Sequence, residues 1–227
     1  MDTTAQTRRV RPQKVVRAYS VGEEIANSII HGVGVVLSIA ALTMLVVFGA
    51  MSGESVKLAA GIVYGVSLVL EYTASTLYHS FPWPRAKHVF KILDHCGIYL
   101  LIAGSYTPFT LITLAGPTGR TMFIAIWAIA AVGIAMEAFW VYRPRWLSAL
   151  TYLGMGWLVV LAIEPLVEAL PPEGLWLLVA GGLAYTLGTI FYVLKKVPYM
   201  HAIWHLFVLA GSICHFLAVV LYVMPPY

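Results

Sequence analysis

The sequence predicts an all-α integral membrane protein, a bundle of seven transmembrane helices. Hydrophobic residues make up 60% of the 227 residues and charged residues only 11%, whereas a soluble domain carries about 25% charged residues. The apolar residues fall in long, unalternated runs, and a helix needs about 20 of them to cross the hydrocarbon core. Because a bilayer offers the backbone no water, such runs must form helices rather than open strands.

Six short breaks, rich in Pro, Gly or charge, separate seven apolar runs. We place the spans at 27–50, 56–80, 91–114, 120–141, 146–168, 174–194 and 200–223. The first run follows acidic residues and is too long for the core of a signal peptide, so we expect it to be retained. The chain then divides into a basic cytoplasmic tail, 1–20, and one transmembrane domain, 21–227.

Lys and Arg residues predict the orientation, because they collect on the cytoplasmic side of short loops. Twelve of the 14 fall on one side: Arg8, Arg9, Arg11, Lys14, Arg17, Arg85, Lys87, Lys91, Arg143, Arg145, Lys195 and Lys196. The other side receives Lys57 and Arg120. We therefore expect the N-terminus inside and the C-terminus outside a cell (inner or plasma) membrane. No basic patch or reader motif points to a nucleic-acid partner.

Ionisable side chains inside the spans cost about 3 kcal/mol each on insertion, so they mark candidate sites. Glu71, Ser75 and His79 follow one another at four-residue steps and therefore share one face of the second span. His79 lies at the predicted cytoplasmic end of that span, on the side where Asp94 begins the third. Polar residues thus gather at one end of the predicted bundle.

A histidine pair opens the seventh span at the same end. His201 and His205 are four residues apart, so they project from one helix face about 6 Å apart along its axis. With His79 they would give three nitrogens plus water, the open coordination with which zinc activates water, and Asp94 could hold or deprotonate that water. The alternative is that these histidines contact headgroups or pack as polar residues, and that Ser75 bonds a carbonyl of its own helix.

Three polar residues begin the first span, and two interpretations of them stay open. Asn27 and His31 are one turn apart near the predicted cytoplasmic face, just after Glu24. They could orient a metal ligand by hydrogen bonding to it from behind. They could equally cap the helix start and pair with the basic tail. For His95, which points about 100° away from Asp94 around the helix, we expect a structural role.

Several motifs together resemble the hemolysin III family, the bacterial branch of the progestin and adipoQ receptor superfamily, over nearly the whole chain. They are the segments 24–27 with His31, 75–79, 94–95 with 102–108, and 201–205. In adiponectin receptors of this superfamily, a zinc ion near the cytoplasmic leaflet is bound by one histidine of the second helix and two of the seventh. The resemblance implies Zn²⁺ ligands at His79, His201 and His205, with Asp94 contacting the zinc-bound water and Ser75 matching the motif serine. The chain lacks the long N-terminal extension of the animal receptors, so we expect no hormone-receptor role.

The resemblance implies a zinc-dependent hydrolase of membrane lipid amides or esters, similar to the alkaline ceramidases. The alternative is a non-enzymatic sensor or regulator of membrane homeostasis, in which a structural zinc would have four protein ligands. A channel or proton-linked transporter also stays open, because Glu71 and the histidines lie within the spans. A rhodopsin is excluded, since no lysine follows Lys196 to carry a Schiff base. We expect membrane lipids as the partners. Zinc is the expected metal, although three imidazole ligands would also bind copper, iron or nickel.

Overall fold

The computed structural model describes residues 19–194 and 197–225, and within them the chain forms seven long helices and no strand. The helices are α1 (Val21–Met51), α2 (Ser55–Ser80), α3 (Pro84–Thr113), α4 (Pro117–Trp140), α5 (Arg145–Ala169), α6 (Pro172–Val193) and α7 (Met200–Val223). Each is long and apolar enough to cross a membrane, so the predicted seven-span bundle is confirmed. Most of the predicted tail, residues 1–18, lies outside the described residues. So do Lys195 and Lys196, two of the cations from which the orientation is predicted.

Two helices begin more than one turn earlier than the apolar pattern predicts. α1 begins at Val21 rather than residue 27, because Ser20 and Glu23 form a capping box in which each side chain accepts from the other's backbone N–H. α3 begins at Pro84 rather than residue 91, because proline is well suited to the first turn of a helix. Lys87 is therefore a helical residue rather than a loop residue.

Three helices contain stretches that are not α-helical. α3 ends in a π turn over Phe109–Thr113, directly after Pro108, and α7 ends in another over Val219–Val223. α5 is interrupted by a 3₁₀ turn over Trp157–Ala162. Such turns change the direction in which side chains leave the helix, so α5 changes its packing halfway across the bundle.

The bundle exposes many large apolar side chains on its outer surface and buries several polar ones. Phe139 is 92% exposed and Leu161 79% exposed, while Asn27 and Glu137 are fully buried. This pattern fits hydrocarbon as the surrounding solvent, because lipid tails accept apolar surface and leave polar groups to find partners in the interior.

Close packing of α1 on α2 starts at their short connection, where Gly53 adopts the left-handed conformation at φ 69°. Nearby, a Cβ on Gly49 would lie 2.6 Å from the Cα of Leu58, so only glycine lets the two backbones approach this closely.

We expect Gly49→Ala to lower the free energy of unfolding by about 1–3 kcal/mol, because the obstructing atom is backbone and cannot rotate away. Thermal unfolding in detergent measures the effect. Gly154→Ala is the matched control, since nothing lies within 4 Å of its Cβ position. A melting temperature for Gly49→Ala equal to that of Gly154→Ala would contradict the close approach of α1 and α2.

Candidate metal centre

The structure brings together the three histidines that the sequence predicted as metal ligands. One ring nitrogen from each of His79, His201 and His205 lies within 4.8 Å of the others, and the Nε2 atoms of His79 and His205 are 3.2 Å apart. Two nitrogens that each sit 2.0–2.1 Å from a tetrahedral zinc are separated by about 3.3 Å. The three histidines could therefore hold a metal ion, and the separation of this pair is that of two ligands on one ion.

Local sequence determines where these histidines lie. α2 ends at Ser80, immediately after His79, and Pro82 and Pro84 follow. α7 begins after Tyr199, which is left-handed at φ 61° and whose N–H donates to the Glu23 carboxylate at 3.0 Å. Glu23 thus caps α1 and also ties the start of α7 to it.

His79 is held from behind by residues of α1. Its Nδ1 lies 2.6 Å from Oε2 of Glu24 and 3.3 Å from Nδ2 of Asn27. The Nζ of Lys87 lies 2.7 Å from the other oxygen of Glu24 and fixes that carboxylate. With its proton on Nδ1, donated to Glu24, His79 turns its Nε2 lone pair toward His205, which is the tautomer that metal binding requires.

His31, the third of the predicted supporting residues, makes a different contact. Its ring lies 3.7 Å from the ring of His205 and packs edge-on against Tyr72. It is 1% exposed, and neither ring nitrogen has a hydrogen-bond partner among the described residues. His31 therefore adjoins the cluster without belonging to the group of three close nitrogens.

Sequence reasoning missed Tyr19, which covers the cluster. Its ring stacks on His201 with centroids 4.9 Å apart, and its hydroxyl accepts a hydrogen bond from Arg145. Burial raises the pKa of Tyr19, although the charge of Arg145 opposes the shift, so the phenol stays protonated at neutral pH. The signal was available, because Tyr19 directly precedes the capping box at Ser20 and Glu23, where an apolar residue commonly packs on its own helix.

Ser75 and Asp94 both lie in the interior beside this cluster. Ser75 is fully buried, and its Oγ has no partner among the described residues. Thr76 and Ser80 do bond carbonyls of their own helix, so the alternative considered for Ser75 is not the one adopted. Asp94 is 6% exposed and lines an interior cavity of the bundle.

That cavity has a volume of about 230 Å³ and runs from the histidines toward the opposite end of the bundle. Its polar end is lined by His31, Glu71, Asp94, His95, His201 and His205. Beyond them the lining is mainly apolar, as at Leu101, Phe109, Leu114, Leu166 and Leu175. Trp157 and Val160 of α5 and Val179 of α6 line it and are also 38–50% exposed, so the cavity reaches the outer surface between these two helices.

Comparison with known proteins agrees with this architecture. Residues 19–216 match the family described as Haemolysin-III related. The chain is 51% identical to hemolysin-3 of Bacillus cereus over 205 residues, which is 90% of this chain and 94% of that protein. It is 46% identical to a hemolysin-3 homolog of Bacillus subtilis over 90% of this chain and 96% of the relative. The human monocyte to macrophage differentiation factor is 31% identical over 163 residues, 69% of this chain and 67% of that protein. This multi-pass membrane protein belongs to the hemolysin III family.

Proposed function

We propose that this chain is a zinc-dependent hydrolase that cleaves lipid amides or esters within the membrane. The observation that carries the proposal is the group of three buried histidine nitrogens within 4.8 Å of one another. Three imidazoles leave a tetrahedral zinc one position for water, which is the arrangement of catalytic rather than structural zinc sites.

The chain's own residues supply the remaining chemistry. When bound, zinc would lower the pKa of water and polarise the attacked carbonyl. Asp94 accepts the proton of the attacking water, since its carboxylate faces the cavity at the histidine end. The Ser75 hydroxyl, which has no partner among the described residues, is the group that we assign to hydrogen-bond this water. Glu24 keeps the ring of His79 in one orientation.

The cavity is suited to the hydrocarbon chain of a lipid. Its apolar part begins where the polar residues end, so a lipid carbonyl near Asp94 would leave the acyl chain among Leu101 and Phe109. The opening between α5 and α6 would let a chain enter from the bilayer. We further propose that the histidine end faces the cytoplasmic leaflet of the inner membrane, with the N-terminus inside and the C-terminus outside, as the Lys and Arg distribution predicts.

A membrane sensor or regulator with a structural zinc is the second candidate. His31, whose ring lies 3.7 Å from that of His205, is the observation that favours it, because a fourth protein ligand would close the site. The two candidates differ in whether water keeps a place on the metal, and therefore in whether the purified protein hydrolyses lipids.

We expect about one zinc per native chain and far less after the double change His201→Ala and His205→Ala, because the cluster loses two of its three donors. Elemental analysis of detergent-purified protein measures this. His88→Ala is the matched control, since His88 stands on the same side of the bundle but bonds Tyr142 instead. An equal zinc content in all three proteins would show that His201 and His205 do not bind the metal.

Asp94→Asn should keep the zinc and lower hydrolysis of lipid amides or esters in liposomes by about 100-fold or more, because the proton acceptor is lost. Absence of hydrolysis by the native, zinc-loaded protein across a panel of such lipids would favour the regulator.

Glu24→Gln should weaken zinc binding by about 10- to 100-fold, because the charged acceptor behind His79 becomes neutral. Competition with a zinc chelator measures the affinity. The control is Glu54→Gln, which changes a glutamate that pairs with Lys57 at the other end of α2. Unchanged affinity in Glu24→Gln would mean that Glu24 serves only the packing of α1 on α2.

Gly182→Leu should reduce kcat/KM for long-chain substrates by about tenfold or more, because Gly182 lines the cavity and its Cβ position is open. Short-chain substrates and zinc content should change little. Gly154→Leu, which adds the same side chain at an open position outside the cavity lining, is the control. An equal loss for long and short chains would argue against the cavity as the acyl site.

A further inference from the structure

A buried ion pair lies behind His95, one of the residues at the polar end of the cavity. Arg143 follows the end of α4, and its Nη2 is 2.7 Å from Oε1 of Glu137, with both side chains fully buried. Arg143 lies in the loop between α4 and α5, but its guanidinium is turned inward rather than toward the membrane surface. Burial alone would lower the pKa of Arg143, yet its hydrogen bond with Tyr99 and the charge of Glu137 outweigh burial and raise it, so the arginine stays charged.

Neighbouring side chains hold this pair in one geometry. Arg143 donates from Nε to the Ser148 hydroxyl at 2.8 Å and from Nη2 to the Tyr99 hydroxyl at 2.7 Å. The Tyr152 hydroxyl donates to Oε1 of Glu137 at 3.1 Å. Taking two charges out of water costs several kcal/mol each, and an apolar pair would often be at least as stable. Stability alone therefore does not explain why this ion pair is buried here.

The second oxygen of Glu137 faces His95. Oε2 of Glu137 lies 3.4 Å from Nδ1 of the imidazole, and neither atom has a hydrogen-bond partner among the described residues. The side chain of His95 is 14% exposed and lines the cavity. Its Nδ1 edge meets the carboxylate, so the Nε2 edge is the one turned toward the cavity.

His95 directly follows Asp94, and both line the polar end of the cavity. Arg143 and Glu137 pack behind His95, and Glu71 shares the polar end of the cavity with Asp94. The fold thus presents a carboxylate and an imidazole, the latter oriented by a second carboxylate, to the same space. Hydrolysis requires one proton transfer from water and another to the leaving group, and these two side chains can divide the two transfers.

We infer that His95, oriented by Glu137, is the general acid of the reaction, an inference that rests on the proposed function. As the water oxygen bonds to the carbonyl carbon, Asp94 takes one water proton. When the bond from carbon to the leaving nitrogen or oxygen breaks, that atom keeps the electron pair and receives the proton of His95 Nε2. Transfer of the proton on Asp94 back to His95, directly or through water, restores both groups.

Two substrates with one acyl chain test this role in detergent-purified, zinc-loaded protein. One is an alkyl amide, whose amine must be protonated to leave, and the other is a p-nitrophenyl ester, whose phenolate leaves without a proton. We expect His95→Gln to lower kcat on the amide by about 100-fold or more. Its rate on the activated ester and its zinc content should stay close to native. His88→Gln, a change in the same helix outside the cavity lining, should leave both rates unchanged.

A loss of equal size on both substrates would assign His95 a structural role and overturn the inference, while hydrolysis by the native protein would keep the proposed function. If the native protein cleaves neither substrate, the proposed function fails, and the inference fails with it.

Should His95→Gln not fold, Glu137→Asp keeps the charge beside Arg143 while shortening the reach toward His95. It is expected to lower the ratio of amide to ester rates, and an unchanged ratio would overturn the inference.

Discussion

The contact between His79 and His205, at the end of α2 and the start of α7, is the constraint on which the rest of this end of the bundle depends. Their Nε2 atoms lie 3.2 Å apart where α2 ends at Ser80 and α7 begins at Met200. α1 fixes both of these ends, since Glu24 holds the ring of His79 and the neighbouring Glu23 accepts the N–H that precedes α7. A single turn of α1 therefore contacts both α2 and the start of α7.

The lipid environment explains why this arrangement points to a ligand. In hydrocarbon no water is available to hydrogen-bond an unpartnered polar group, so each such group carries a desolvation penalty. Around the cluster several groups lack partners among the described residues, including both nitrogens of His31, the hydroxyl of Ser75 and one oxygen of Glu71. Such penalties gathered at one end of a cavity are most simply offset by something bound there, which supports a metal ion, water and a polar substrate group.

Much of the fold was predictable because it rests on local properties of the chain. Apolar runs and Pro or Gly breaks predict seven spans, and four-residue spacing predicts that Ser75 shares a face with His79, and His201 with His205. The convergence of the three candidate ligand histidines also followed, since the Lys and Arg distribution put their helix ends on one side. These predictions needed only the direction in which each helix crosses the membrane.

What could not be predicted depends on how each helix is rotated and how closely it approaches its neighbours. Periodicity cannot tell that Arg143 turns inward to Glu137, because an arginine in a short loop normally marks the cytoplasmic side. Nor can it tell that Glu24 reaches His79, 55 residues away, rather than the basic tail. His95 was expected to be structural because it points away from Asp94, and only the position of α4 shows that this direction leads to a carboxylate.

Helix α3 connects the polar face of α2 with the buried Arg143. It carries Asp94 and His95 at the polar end of the cavity, and three residues further on Gly97 packs against the carboxylate of Glu71. Any side chain at Gly97 would collide with that carboxylate, so the absence of a Cβ allows α3 to lie against the face of α2 that bears Glu71, Ser75 and His79. On its other side, Tyr99 joins α3 to Arg143. The rotation of α3 is therefore fixed from both sides, and with it the directions in which Asp94 and His95 project.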